Sequence, residues 1–167
     1  GEPTIKKHQE AICNFLDYWI NYHLEDNSNP FKPNMLDFYN EIETNGTVYI
    51  NEDLFRTLDQ INCSPKLSNS GMSEKKRIIP EAIKRIMEHS NYQFKFVVSN
   101  EEDIKEMFKD FINPFNIPLK NIVCMPGMDS REQFHERTQW VLEMAKKYKF
   151  RGLTRLHISA WDKTLDV

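Results

Sequence analysis

The chain has 167 residues, of which 40% are hydrophobic and 12% aromatic, a composition typical of one soluble globular domain. Its formal net charge of −3 is spread over mixed clusters, which leaves no basic face for non-specific nucleic-acid binding. No apolar run approaches the roughly 20 residues that span a bilayer, so the sequence indicates neither a membrane protein nor a nucleic-acid binder.

The first half of the chain alternates helical and strand-like patterns. Apolar residues at helical spacing begin the series, and short alternating runs follow. In chain order, the predicted segments are a helix (His8–His23), a loop rich in Asn and Pro (Glu25–Asn34), a strand (Asp37–Glu43), a short helix (Asn51–Leu58), a strand stub (Gln60–Cys63) and a polar, mobile loop (Lys66–Lys76).

The second half continues the alternation and carries signals for helix starts. Pro80 suits the first turn of a helix that reaches about His89. Ser99 and Glu102 resemble a capping box for a helix that reaches about Phe111. The remaining predicted segments are strands over Tyr92–Val98, Asn121–Met125 and Leu153–Ile158, and a long helix capped by Asp129 or Ser130 that reaches about Tyr148.

Alternating strands and helices predict an α/β fold with a mostly parallel sheet and right-handed crossovers. The strands are too few for a complete eight-unit barrel, so a partial (βα) barrel is the expected architecture. No second domain is indicated, and residues 1–167 are expected to form one domain.

Three cysteines, Cys13, Cys63 and Cys124, lie far apart in the sequence. An odd number at this spacing indicates neither a disulfide framework nor a zinc site. Reduced thiols in a cytosolic protein are the simplest interpretation, with Cys13 and Cys124 as small core residues.

Polar motifs follow several predicted strands, where parallel α/β sheets bind ligands. Asn45-Gly46 is also a common hairpin signal, but the surrounding alternation favours parallel units. Lys95 stands between two phenylalanines and therefore faces away from them, either into the barrel towards a ligand carboxylate or at a solvated edge. Arg155 and His157 are expected on one face of the last strand, where they would offer a guanidinium fork and an imidazole.

Six motifs in a fixed order carry a resemblance to a known family: GEPT, ETNGT, CSPK, KFVV, VCMPG and RLHISAW. This order resembles radical S-adenosylmethionine enzymes, and most closely the 7-carboxy-7-deazaguanine synthases of the queuosine pathway. The resemblance implies a radical S-adenosylmethionine core domain that lacks the first strand and the cluster loop, with the chain beginning inside a GGEP motif. It also implies ring contraction of 6-carboxy-5,6,7,8-tetrahydropterin to 7-carboxy-7-deazaguanine, with loss of ammonia.

The resemblance also implies ligands and roles. The cofactors would be S-adenosylmethionine, Mg²⁺ and a [4Fe–4S] cluster whose cysteines lie upstream of Gly1. Residues implied in cofactor binding are Glu2, Glu43, Thr44, Asn45, Ser64, Lys66, Met125 and Pro126. Residues implied in substrate binding are Gly1, Lys95, Arg155 and His157. The implied partners are the pterin, an electron donor such as flavodoxin and a second subunit, in the cytoplasm.

Two other functions are also compatible with the sequence. A different radical S-adenosylmethionine enzyme, such as an activating enzyme, would share the cofactor motifs but not the RLHISAW ending. A non-catalytic module could instead retain the half-barrel as an interaction surface. Residues 21–34 and 67–76 are interpreted as loop elaborations, and the segment alone is expected to be inactive.

Overall fold

Five short strands form one parallel sheet in the computed structural model, which describes residues 2–25 and 39–164. The strands pair in the order in which they occur in the chain. They are β1 (Glu41–Thr44), β2 (Gln60–Cys63), β3 (Tyr92–Val98), β4 (Ile122–Pro126) and β5 (Arg151–Gly152).

Helices occupy each of the four connections between these strands and also precede and follow the sheet. In chain order they are α1 (Lys6–Glu25), α2 (Glu52–Thr57), α3 (Glu74–Arg77), α4 (Pro80–Met87), α5 (Glu101–Met107), α6 (Asn113–Phe115), α7 (Phe134–Tyr148) and α8 (Leu156–Trp161). Of these, α1 precedes β1 and α8 follows β5. A π-helical segment, Phe108–Ile112, continues α5, and short 3₁₀ turns occur at Ser68–Ser70, Leu119–Asn121 and Arg131–Gln133. None of the described helices has the length and apolar character that a membrane crossing requires.

The sheet winds in one direction, because each strand lies beside the one that precedes it. The register pairs Glu43 with Asn62 and Asn62 with Gln93, all in parallel. A doubly wound sheet would reverse its strand order at a switch point, whereas a (βα) barrel does not. The α/β class, the parallel sheet and the partial-barrel architecture are therefore confirmed.

The two faces of the sheet differ in chemistry. The face that packs against the helices is apolar, with Ile61, Phe94, Phe96 and Cys124 fully buried against helix residues such as Met107. The opposite face, here called the open face, carries charged and amide side chains: Glu41, Glu43, Gln60, Asn62, Gln93, Lys95 and Arg151. Alternation along each strand separates the two sets.

Most predicted elements are present. The structure gives β2 and β3 the predicted bounds, and α1, α2, α4 and α7 lie where helices are expected. The predicted strand over Asp37–Glu43 is described only from residue 39, and there β1 begins at Glu41. The predicted loop Glu25–Asn34 lies, beyond Glu25, outside the described residues.

The predicted last strand is wrong. Pairing with β4 ends at Gly152, Leu153 N still donates to the Cys124 carbonyl at 2.9 Å, and Leu156–Trp161 is helical. A short apolar run does not distinguish a strand from a helix by its periodicity alone. Arg155 and His157 consequently do not share a strand face.

One predicted helix cap is displaced: Asn100, rather than Ser99, caps α5, and its side chain accepts from Asp103 N. Ser130 is at the N-cap of the 3₁₀ turn that leads directly into α7, as predicted, but its side chain makes no capping hydrogen bond. The predicted polar loop contains a 3₁₀ turn and the start of α3, so it is partly helical.

Candidate functional site

The carboxyl ends of β1 to β4 lie along one edge of the sheet, here called the carboxyl edge. Parallel pairing brings the ETNGT, CSPK and MPG motifs to this edge, because each follows the end of a strand. The predicted convergence of these motifs is therefore observed. The hairpin alternative for Asn45-Gly46 is wrong, since β1 runs parallel to the strand that follows it.

Glu2 ties the start of the chain to the end of β1. Its Oε1 accepts from Thr4 N at 3.1 Å and from the Thr44 hydroxyl at 2.7 Å, and its Oε2 accepts from Asn45 N at 2.8 Å. The Glu2 carbonyl accepts from His8 Nδ1 at 2.8 Å. The GEPT and ETNGT motifs thus form one hydrogen-bonded unit, whereas Gly1 lies outside the described residues.

This unit favours the ionised form of Glu2. Partial burial of the carboxyl opposes ionisation, but hydrogen bonds from Thr4, Asn45 N and Thr44 outweigh it and lower the pKa of Glu2. The carboxylate is therefore charged at neutral pH and holds fixed acceptors at the carboxyl edge.

The ETNGT turn brings its backbone against β2. Gly46 has φ of +75°, and its N donates to the Thr44 hydroxyl at 3.1 Å. A Cβ at this position would lie 2.6 Å from Cys63 Sγ. Asn45 Oδ1 accepts from Thr47 N at 2.9 Å, which closes the turn. Only glycine fits both this conformation and this approach.

The CSPK motif continues the parallel pairing beyond the strand. Ser64 N donates to the Thr44 carbonyl at 2.7 Å, which places Ser64 next to the ETNGT turn. Lys66 is exposed two residues later. The hydroxyl of Ser64 and the ammonium of Lys66 are thus available near the same edge.

Lys95 faces the open side of the sheet, as its place between Phe94 and Phe96 predicts. Its Nζ lies 2.9 Å from Glu43 Oε1. The Lys95 side chain is only 16% exposed, whereas that of Glu43 is 60% exposed. The structure thus brings together two predicted site residues, and Glu43 supplies the partner that a buried lysine needs.

Amide side chains extend this polar surface across the open face. Asn62 Oδ1 accepts from Gln60 Nε2 at 2.7 Å and also from Gln93 Nε2. Arg151 Nη2 donates to Gln93 Oε1 at 2.9 Å. These residues were not predicted as site residues; the signal in the sequence was polar side chains at alternate positions of otherwise apolar strands.

The MPG motif closes the edge beside β3. Gly127 N donates to the Val98 carbonyl at 2.8 Å, and a Cβ on Gly127 would lie 2.1 Å from Ser99 Oγ. Met125 is half-buried and Pro126 is buried. This close contact joins the loops that follow β3 and β4.

The RLHISAW segment packs beside this loop in spite of its helical conformation. Arg155 Nη1 donates to the Met128 carbonyl at 2.9 Å. Arg131 N donates to Asp162 Oδ1 at 2.6 Å, and Arg131 Nη2 donates to the Ala160 carbonyl at 2.8 Å. His157 is exposed on α8. The segment therefore lies near the carboxyl edge, and Arg155 and Arg131 both connect it to the loop that follows β4.

Asp103 of α5 is a further residue that sequence reasoning missed. Its Oδ2 accepts from Ser99 N at 2.7 Å and from Asn69 Nδ2 at 3.2 Å. Arg137 Nη1 donates to the Ser99 carbonyl at 3.0 Å. The loops after β2 and β3 are joined through this carboxylate, and no local sequence pattern indicates a contact across 34 residues.

The cysteines do not form a metal site. Cys63 and Cys124 are buried on the helix-facing side, and burial raises the pKa of both thiols, to about 12 for Cys124. Cys124 Sγ lies 3.6 Å from Met107 Sδ, whereas Cys13 is on α1. Within residues 2–25 and 39–164, no group of three or more His, Cys, Asp or Glu side chains could hold a metal ion.

The chain is similar to a curated protein. The chain is 33% identical over 121 residues to a 7-carboxy-7-deazaguanine synthase from Pyrobaculum aerophilum. The match covers 72% of this chain and 51% of the relative, so the chain spans about half the length of the curated relative it matches. No protein-family model matches the chain.

A solved structure is also similar. The crystal structure of QueE from Escherichia coli superposes with a TM-score of 0.48 at 19% sequence identity. The superposition covers 71% of this chain and 44% of that chain.

Proposed function

Because the matched residues make this chain a relative of the 7-carboxy-7-deazaguanine synthases, we propose that it contributes the cofactor- and substrate-binding edge of such an enzyme. The reaction would convert 6-carboxy-5,6,7,8-tetrahydropterin to 7-carboxy-7-deazaguanine with loss of ammonia. The sequence match over 121 residues is the observation that carries this proposal. The convergence of the motifs at one edge supports it.

The carboxyl edge has the donors and acceptors that S-adenosylmethionine requires. Glu2 Oε2, which the hydrogen bond from Asn45 N holds in place, can accept from an ammonium, and Glu43 can accept from ribose hydroxyls. Ser64 and Lys66 would bind anionic or polar groups. Met125, which is half-buried, would offer apolar surface to the adenine, and the buried Pro126 would fix the backbone beside it. When bound, S-adenosylmethionine supplies the radical chemistry, and the protein residues position it and exclude water.

The pterin would meet the same edge from the open face. We assign Lys95 to its carboxylate or to that of the cofactor, and Arg155 and His157 to its polar atoms. Arg155 holds the RLHISAW segment to the MPG loop, so it would position that segment against the ligand. Gly1 belongs to the same proposed substrate set through its place in the GEPT motif.

Other parts of the proposal depend on the family resemblance alone. They are a [4Fe–4S] cluster, Mg²⁺, an electron donor such as flavodoxin, a homodimer and a cytoplasmic location. The described residues offer no ligand group for the cluster, so we place its ligands outside them. The proposed site residues of this chain would act by binding and orienting S-adenosylmethionine and the pterin.

The decisive experiment is turnover by the complete enzyme, after reconstitution of its cluster without oxygen. We expect mass spectrometry to detect 7-carboxy-7-deazaguanine when the pterin, S-adenosylmethionine and a reductant are supplied. His157→Ala should reduce the rate by at least about tenfold, since a lost binding contact costs about 1.4 kcal/mol or more. His135→Ala is the matched control, because His135 is an exposed histidine on α7.

The same assay distinguishes the other functions. Cleavage of S-adenosylmethionine without the deazaguanine product would favour a different radical enzyme. Absence of both reactions would favour a non-catalytic module. Unchanged turnover in His157→Ala would contradict the substrate role of that residue but not the reaction.

A further inference from the structure

The ion pair between Lys95 and Glu43 bridges two strands that are not neighbours. Glu43 lies on β1 and Lys95 on β3, with β2 between them. Strands are spaced by about 4.8 Å, so the two backbones are about 10 Å apart while the charged atoms are 2.9 Å apart. Both side chains must therefore lean over β2, where Asn62 pairs in register with Glu43 and is only 3% exposed.

The two partners differ in how much they need each other. Lys95 is mostly buried, and a buried ammonium requires an acceptor. Glu43 is mostly exposed, so water can replace its contact with Lys95 at little cost. Arg151, which is also a cation of the open face, already donates to Gln93. Lys95 thus requires a carboxylate partner, whereas Glu43 can break its contact with Lys95 and be solvated instead.

We propose that Glu43 is a placeholder, which occupies on Lys95 the position that the carboxylate of a small ligand takes. This inference rests on the proposed function, because both proposed ligands, the pterin and S-adenosylmethionine, carry a carboxylate. Exchange keeps Lys95 paired and frees Glu43. The freed carboxylate then accepts from hydroxyl or amino groups of the bound ligand.

The experiment measures binding of two pairs of probes to the folded protein. Each pair differs by a carboxylate: pterin-6-carboxylate against pterin, and S-adenosylmethionine against decarboxylated S-adenosylmethionine, which keeps the sulfonium and the amine. Pterin fluorescence and calorimetry give the dissociation constants. The variants are Glu43→Gln and Lys95→Met, and Glu41→Gln is the matched control because it removes the same charge from the same face of β1.

Removal of the placeholder should favour the carboxylated probes. We expect Glu43→Gln to tighten the carboxylated member of one pair, relative to its uncarboxylated partner, by about threefold to tenfold, since the contact of an exposed carboxylate is worth about 1 kcal/mol. Contacts of residue 43 with hydroxyl or amino groups affect both members and cancel in this comparison. Glu41→Gln should change both members of each pair equally and by less than about twofold. Lys95→Met should remove the difference between the two members. Circular dichroism checks that each variant is folded.

The pattern of results identifies the ligand and tests the inference. Dependence on Lys95 in the pterin pair assigns the carboxylate to the substrate, and dependence in the adenosyl pair assigns it to the cofactor. If the probes bind but Glu43→Gln matches Glu41→Gln or weakens binding, the placeholder is overturned while the proposed function stands. If none of the probes binds to any variant, the proposed function fails, and the placeholder fails with it.

Discussion

Gly46 is the residue whose replacement the structure restricts most clearly. It combines a positive φ with a close approach to Cys63 Sγ. We expect Gly46→Ala to lower the free energy of unfolding by about 2–4 kcal/mol, because the left-handed conformation and the overpacking each contribute. Urea unfolding measures this difference.

Gly71 provides the control for the backbone contribution. It has the same φ of +75°, but no atom lies within 4 Å of a Cβ built there. Gly71→Ala should therefore cost only about 1 kcal/mol. Equal losses in the two variants would show that the approach to Cys63 does not limit the turn.

Because the pKa of Glu2 is lowered in the folded protein, we expect Glu2 to make a pH-dependent contribution to stability. Its pKa in the folded protein lies below the ordinary value of 4.5, so its contribution is complete above that pH and is lost as the pH falls through the lower folded value. We expect Glu2→Gln to cost about 1 kcal/mol at pH 7 and progressively less below pH 4.5. Chemical unfolding across this range measures the effect.

Glu10→Gln serves as the control for Glu2, because Glu10 is exposed on α1. It should change stability by less than about 0.5 kcal/mol across the range. A constant difference for Glu2→Gln down to pH 2 would contradict the contribution of the ionised form.

Some residue contacts could be predicted from the sequence, and others could not. Alternation along β3 was sufficient to place Lys95 on the face opposite Phe94 and Phe96. Its partner, Glu43, lies 52 positions away across an intervening strand, and only the register of the sheet brings the two together. The contact of Glu2 with Thr44 has the same origin.

At the level of elements, α5 holds the segment that follows the CSPK motif. Glu106 Oε1 accepts from Ser68 N at 2.8 Å and lies 2.8 Å from Arg77 Nη2, which is also 3.2 Å from Asp110 Oδ2. The sequence predicts this segment to be a mobile polar loop. Its anchors lie about thirty residues further along the chain, so no local pattern reveals them. Its contacts give it a fixed position beside α5.

Glu106→Ala should release this segment. We expect a loss of about 2 kcal/mol, because Ser68 and the buried Arg77 both lose an acceptor while Asp110 remains. Hydrogen exchange over residues 67–77 should become faster. Glu102→Ala is the control, since Glu102 is exposed and pairs only weakly with Lys105 at 3.5 Å; equal exchange in the two variants would contradict the anchoring role.

Elements were predicted best where the local sequence pattern, rather than tertiary contacts, determines the secondary structure. Tyr92–Val98 is long enough for its alternation to be unambiguous, and its bounds are confirmed. The run after Gly152 is short, and its helical conformation is accompanied by contacts with the loop after β4: Arg131 donates to the Ala160 carbonyl, and Arg155 donates to the Met128 carbonyl. The sequence could not specify those contacts, so the predicted strand is a helix.

At the scale of the whole molecule, the sheet has one face that packs against the helices and supports the fold, and an open face at which we propose that the ligand binds. Two adjacent residues of β3 test this division, since Val98 is fully buried under the helices and Val97 is half-buried on the open face. We expect Val98→Ala to cost about 2 kcal/mol and Val97→Ala about 1 kcal/mol or less. Thermal and urea unfolding measure both.

The two variants should also differ in binding. Val97→Ala alters the surface that a ligand would meet, whereas Val98→Ala alters the core. Equal stability losses would contradict the division of the sheet into a supporting and a binding face. The class of fold followed from the alternation of elements, but the polar row of Asn62, Gln93 and Arg151 required the register.

Because Cys63 and Cys124 are buried, the rate at which their thiols react reports how often the core opens. Their raised pKa values and lack of exposure protect both thiols from alkylation while the sheet is covered by helices, whereas Cys13 is partly accessible on α1. A thiol reagent should thus modify Cys13 at once and the other two only when the core opens. The slow phase of labelling reports the free energy of that opening through the protein's own cysteines, without any engineered label.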